Sequence, residues 1–191
     1  MLMDLAAMLS PQNRRLFKFK NFANPEQQLL LESFKGTEGL SRAYNFELLL
    51  VCQDSGVELK SMMGQHVVLE IELADATPRY LAGYLTRFAS IGSDGGMARY
   101  TATLNPWFSM LKNRFDTRIF QGCTVEDVVT QVFALCTAFS RHEFRLSKPL
   151  KHYTYITQYR ESDFNFVQRL LEEDVHAIGH LGGTILGSTN R

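Results

Sequence analysis

Between His66 and Leu73 the chain reads HVVLEIEL, with Val67, Leu69, Ile71 and Leu73 on one side of a period-two repeat and Glu70 and Glu72 on the other. A side-chain period of two belongs to a pleated strand with one dry and one wet face, and a helix cannot satisfy it. Such a strand needs neighbours, and the flanking sequence supplies them. RLFKFKNF alternates through Phe17 and Phe19 and breaks at Asn21. LLLESFKGTEGLSRAYNFELLLV holds two β runs divided by Gly36 and Gly39, where a positive φ would let the chain turn. RYLAGYLTRFASIG and MARYTATLNPW flank SDGG, and Asp94-Gly95-Gly96 predicts a hairpin turn. After a loose leader over 1–13, residues 14–105 therefore read as short antiparallel strands forming a sandwich or a barrel.

The pattern then changes. Pro106 opens PWFSMLKNRF, a short helix with proline near its first turn, and RIFQGC follows as an extended link. TVEDVVTQVFALCTAF is the best helix in the sequence: Thr124 stands at the cap, and Glu126 and Asp127 lie in the positive first turn. Val125, Val128, Val129, Val132, Phe133 and Cys136 make its apolar stripe. Valine is a poor helix former, so burial of that stripe must hold the helix. EFRLS and KHYTYITQY are strand candidates around Pro149. Ser162 caps a last helix, DFNFVQRLLEED, with Phe166, Val167, Leu170 and Leu171 inward. The fold class expected is β-rich α+β: an antiparallel β-barrel over 14–105, then a helix-containing segment over 106–174 that packs on or completes it. A glycine-rich tail of weak strand or coil covers 175–191.

Twenty basic side chains balance twenty acidic ones, which excludes bulk electrostatic attraction for nucleic acid or an anionic membrane. No stretch approaches the roughly 20 apolar residues of a membrane span, and the N-terminus lacks the features of a secretory signal. The chain is expected to be cytoplasmic when made. Cys52, Cys123 and Cys136 are odd in number and set in apolar surroundings, which fits free thiols in a reducing compartment.

Catalytic and metal readings find little to stand on. Cys123 with His142 or His152 would supply a thiol and a base. No signature surrounds the cysteine, and a helix-flanking residue with two surface histidines accounts for the same residues. His176 and His180 have the spacing of two helical metal ligands, but H-E-x-x-H is absent and AIGHLGG is a poor helix. Glu172, Glu173 and Asp174 crowd a helix end, either a solvated terminus or an ion site. Tyr153, Tyr155 and Tyr159 near Lys151 and Arg160 could stack on single strands, though alternating aromatics on a strand usually pack. No cofactor, metal or catalytic residue is expected.

Several stretches together resemble a known family. GLSRAYNFELLLVCQDSGVELKSMMGQHVVLEIE is similar to the opening of the valine–glycine repeat G proteins, the spike proteins of bacterial type VI secretion. RYLAGYLTRF resembles the strand that follows, with Gly83 in the position of a family glycine. Pro106, Trp107, Arg118, Ile119, Phe120 and Gln121 fall in family order. So do Glu161, Ser162, Asp163 and Phe164 within QYRESDFNFVQRLLEE. The resemblance implies a hub like that of contractile-phage baseplates, in which β-barrel domains of three subunits form a ring on a tube. The role implied for the ten motif residues is structural. The implied partners are copies of the chain itself, as a trimer, and tube subunits, and family members leave the cell through the type VI apparatus without a signal peptide. A prophage tail hub is the alternative, and a small Cys- or metal-dependent hydrolase the remote one. After Glu173 the sequence departs from the resemblance, where Asp174-Val175-His176 replaces a third acidic residue, glycine and an aromatic-rich strand. That departure leads one to expect a truncated spike base, by frameshift or by appended foreign residues.

Overall fold

The computed structural model describes residues 16–23, 28–39, 42–94, 96–146, 149–174, 177–181 and 184–188. Two compact units emerge: one of residues up to 36 together with 46–104, the other of 37–45 together with 105–191.

The first unit is a six-stranded sheet in the order β1-β4-β5-β6-β3-β2. Its strands are β1 Phe17–Asn21, β2 Leu30–Gly39, β3 Arg42–Cys52, β4 His66–Glu72, β5 Pro78–Asp94 and β6 Met97–Asn105. The pairs β1–β4, β4–β5 and β3–β6 are antiparallel. The sheet curls into a half-barrel whose two edge strands meet through side chains, Phe17 of β1 standing edge-on to Phe34 of β2 at 5.3 Å. Its concave core includes Phe19, Leu48, Leu50, Val67, Leu69, Leu85, Tyr100 and Leu104. The short helix α1, Leu59–Met62, adds Met62, whose sulfur accepts from Asn21 Nδ2 at 3.7 Å. The β-rich, antiparallel fold class is as the alternation predicts.

Within that frame three details differ from the sequence reading. Leu73 lies beyond the end of β4 and is exposed. It closes the turn to β5 instead, exchanging backbone hydrogen bonds with Ala76 and Thr77. Gly36 and Gly39 take no positive φ, Gly36 lying inside β2 and Gly39 at its last residue. Gly36 is required for space: a Cβ there would stand 2.0 Å from Cδ1 of Phe46. An aromatic ring laid over a strand glycine covers backbone that would otherwise be wet. Gly36→Ala is therefore expected to cost about 1–3 kcal/mol through overpacking. Gly39→Ala, with no atom within 4 Å of its Cβ, should leave the urea midpoint near wild type.

The second unit carries the motif residues. Pro106 leads into the short helix expected there, which is a 3₁₀ helix, Trp107–Asn113. The expected link is a full strand, β7 Phe115–Cys123, paired antiparallel with β9 Tyr153–Ser162. Between them lie α2 Val125–Phe133, continued by a 3₁₀ turn to Cys136, and β8 His142–Arg145. α3 Asp163–Asp174 follows β9 directly.

The capping box of α2 forms as its spacing predicts: Asp127 N–H donates to Thr124 Oγ1, and Thr124 N–H donates back to Asp127 Oδ2 at 2.9 Å. The N–H and the hydroxyl of Thr124, both donating to Oδ2, hold the Asp127 carboxyl below its ordinary range. The stripe Val125, Val128, Val129, Val132 and Phe133 is buried, with Cys136 only partly so. Beyond α3, β10 Ala177–Leu181 and β11 Thr184–Ser188 form an antiparallel pair, and β11 lies parallel to β8. Two strands thus stand where the tail reads as weak strand or coil.

Candidate functional site

The ten motif residues gather on the β7–β9 ribbon, the 3₁₀ helix before it and the first turn of α3. The ribbon has two unlike faces, because alternation sends Phe120 and Ile156 inward while Ile119 and Tyr155 point out.

On the inner face a carboxylate is buried completely. Asp163 opens α3, where the positive end of the helix favours an anion. Its Oδ1 accepts from Arg118 Nη2 and from Gln158 Nε2, both at 2.7 Å. Its Oδ2 lies 3.2 Å from Arg114 Nε, an ion pair without hydrogen-bond alignment. Gln158, also fully buried, turns its Oε1 to the guanidinium of Arg118 at 3.1 Å from Nε and 2.7 Å from Nη2. It donates its amide to Asp163 and to the carbonyl of Glu161. Arg118 also meets Asp116 Oδ2 at 3.2 Å and lies over the ring of Phe120. The backbone completes the tie, Asp163 N–H donating to Arg114 O at 2.8 Å. Buried charge survives only when paired and hydrogen-bonded, and this knot joins β7, β9 and α3 at one point.

A bulge makes the knot possible. Asp116 faces Glu161 and Arg118 faces Gln158, so β9 carries one extra residue across that interval. Arg160 absorbs it with φ 49°, its N–H donating to Thr117 Oγ1 at 3.2 Å. The shift sets Gln158 and Glu161, three residues apart, opposite Arg118 and Asp116 on one face while Tyr159 and Arg160 stay outside.

The other motif residues frame this centre. Trp107 is buried against Phe133, ring centroids 4.8 Å apart, and its Nε1–H donates to Arg141 O at 3.0 Å. Phe164 sits against Phe108 under the ammonium of Lys112. Ser162 Oγ accepts from Asn165 N–H at the start of α3, and Glu161 pairs with Arg169 at 2.6 Å. Pro106 accepts the N–H of Ser109 in the first turn of its 3₁₀ helix. Gln121 is exposed, opposite Tyr155. Sequence reasoning missed Arg114 and missed Gln158 as a core residue. An amide on a strand reads as solvent-facing, and only the guanidinium across the ladder shows why it is inside.

The outer face presents Phe115, Ile119, Tyr155 and Tyr159, exposed by 68, 64, 62 and 64%. Arg160 lies over Tyr159 and Lys151 over Tyr153. Tyr153 donates to Asp174 Oδ1 at 2.7 Å, pinning the end of α3 to β9. That bond, with desolvation, pushes the phenol up to about 12. The folded value exceeds the unfolded one, so this stabilisation is full below about pH 10 and is lost as pH rises through about 12. A phenolate absorbance titration should contain a component near 12 that Tyr153→Phe removes and Asp174→Ala lowers.

Cys123 Sγ contacts the Gln121 carbonyl, and His152 Nδ1 lies 3.4 Å from the Gly122 carbonyl. His142 stands between Phe133 and Phe144, where burial holds its imidazole below the usual range. Glu172 accepts from Gln168, and Glu173 lies 3.9 Å from Arg169. His176 lies outside the described residues, and His180 falls in a strand. Among the described residues no group of three or more histidines, cysteines and carboxylates could hold a metal ion. Among them, too, no helix is long and apolar enough to cross a membrane.

A model of the phage tail baseplate hub (GPD) family matches residues 37–175, an interval that holds all ten motif residues and the knot. The chain belongs to that family. Two type VI secretion system spike proteins of Pseudomonas aeruginosa, VgrG1a and VgrG1c, are each 36% identical to this hub chain, over 146 and 167 residues. The alignments take in 76% and 87% of this chain and 23% of each relative, so it spans about a quarter of their length. Among solved structures, the c3393 protein of E. coli is described as a type VI secretion component similar to T4 bacteriophage tail proteins gp27 and gp5. It superposes with a TM-score of 0.78 at 23% identity, covering 91% of this chain and 49% of that one. At that identity the likeness establishes a shared hub fold.

Proposed function

We propose that this hub chain is a non-catalytic structural part of a type VI secretion spike, docking at the spike base to tube subunits and to copies of itself. Residues 14–105 act in this reading as the barrel and residues 106–174 as the segment that packs on or completes it. The observation that carries it is the 36% identity to spike proteins over up to 87% of the chain. The knot supports it as well, since buried ionic ties of this kind fix geometry without offering a reactive group to solvent. The ten motif residues are structural in this account, and export follows the spike rather than a signal peptide. Grafting residues 14–174 in place of the corresponding region of VgrG1a tests the reading. A graft that assembles and is secreted supports it, and one that folds but fails to assemble overturns it. Docking is tested by cosedimentation of the purified chain with assembled tube subunits, where no binding removes that part. Cys123→Ala should leave every one of these results unchanged.

A prophage tail hub is the second reading, favoured by the baseplate family match. Tail genes beside the coding sequence would select it, and secretion genes would select the spike.

A further inference from the structure

β8 is four residues long, and a strand of that length is not stable without a neighbour. The neighbour is β11, which runs parallel to it in the register Ile185↔His142, Leu186↔Glu143, Gly187↔Phe144 and Ser188↔Arg145. β10 then pairs with the far side of β11, so the three strands lie in the order β10-β11-β8. His142–Arg145 falls within the residues matched by the hub family, whereas 177–188 lies beyond the last matched residue, 175. The strand that completes β8 thus follows the matched interval.

Backbone pairing explains how this can happen. Strand addition is driven by main-chain N–H and C=O groups that every non-proline residue carries, and it asks little of side-chain identity. The seat is otherwise built: the His142 ring packs on Phe133 and Phe144, and Trp107 Nε1 holds the carbonyl of Arg141 just before the strand. The hairpin is attached to the end of α3 through residues 175 and 176 alone. A short connection of that kind favours exchange of an identical element between chains.

We propose that β8 is a strand-acceptor site, that β11, residues 184–188, fills it in cis, and that the same strand from another molecule can fill it in trans. The ligand class is an extended segment entering parallel to His142–Arg145 and bound by its backbone.

The test uses the full chain and a synthetic peptide of residues 177–188 as the probe. Leu186→Pro removes a ladder donor from the central strand and frees the seat without shortening the protein. Amide exchange at His142–Arg145 should accelerate in this variant. The peptide should bind it about tenfold or more tighter than it binds wild type, with amide changes confined to β8 and a shift of the His142 ring signals. Peptide binding to both proteins alike, or unchanged protection of His142–Arg145 in Leu186→Pro, would overturn the proposal. A failed graft into the spike would not bear on it, because this readout needs no assembly.

Discussion

Asp163→Ala is expected to lower the unfolding free energy by about 3–5 kcal/mol, the range for removing one partner of a buried ion pair. The loss is large because the carboxylate is fully buried and two partners depend on it. Without it, Gln158 Nε2 keeps only the Glu161 carbonyl, and Arg118 keeps Gln158 and the half-exposed Asp116. The side chains of Arg118 and Arg114 are 22 and 39% exposed, so water recovers part of their solvation and the lower end of the range is favoured. Urea unfolding followed by circular dichroism gives the number. Asp116→Ala is the control: it also touches Arg118, but from a position 35% exposed, and should cost about 1 kcal/mol or less. Equal losses from the two substitutions would mean that the knot is no more than a surface pair.

Trp107→Ala should cost about 3–5 kcal/mol, as for other large aromatic truncations in a core. The indole is 1% exposed, stands edge-on to Phe133 at 4.8 Å and to Phe108 at 6.1 Å, and ties down the carbonyl of Arg141. Trp107→Phe separates the contributions. It keeps much of the packing, loses the Nε1–H donor and strands a carbonyl, so about 1–3 kcal/mol is expected. Because β8 begins at the next residue, Trp107→Phe should also quicken amide exchange at His142 relative to α2. Trp107 is the single tryptophan in the chain, so the wild-type fluorescence change on unfolding reports this packing directly.

Both substitutions fall on motif residues, yet their reasons were not equally legible. The alternation in HVVLEIEL places Val67 and Leu69 inside, and they are fully buried. Thr124 and Asp127 announce a capping box by spacing, and each bond of it forms. The valine stripe of α2 packs as its period requires. These are local signals, fixed by pleat, helix period and capping, and they read directly. Gly36 misled, because a glycine in sequence reports only what its backbone can do. That its missing side chain makes room for Phe46 depends on a ring from the neighbouring strand. RIFQGC misled as well: half of the β7 face is exposed apolar, which blurs the period-two pattern, and its pairing with β9 spans some forty residues.

By itself the sequence determined the strand of HVVLEIEL and the helices α2 and α3, because hydrophobic period and capping chemistry act within a few residues. The family resemblance, carried by Pro106 to Gln121 and by Glu161 to Phe164, also came from the sequence and agrees with the family match. Only the tertiary structure decided that Asp163, Gln158, Arg118 and Arg114 meet. Charged and amide groups pay for burial only with partners, and those partners come from elements brought together by a bulge at Arg160 that no pattern in β9 predicts. The tertiary structure also decided that residues 184–188 complete β8, since parallel pairing is a contact between backbones and leaves no mark on side-chain order.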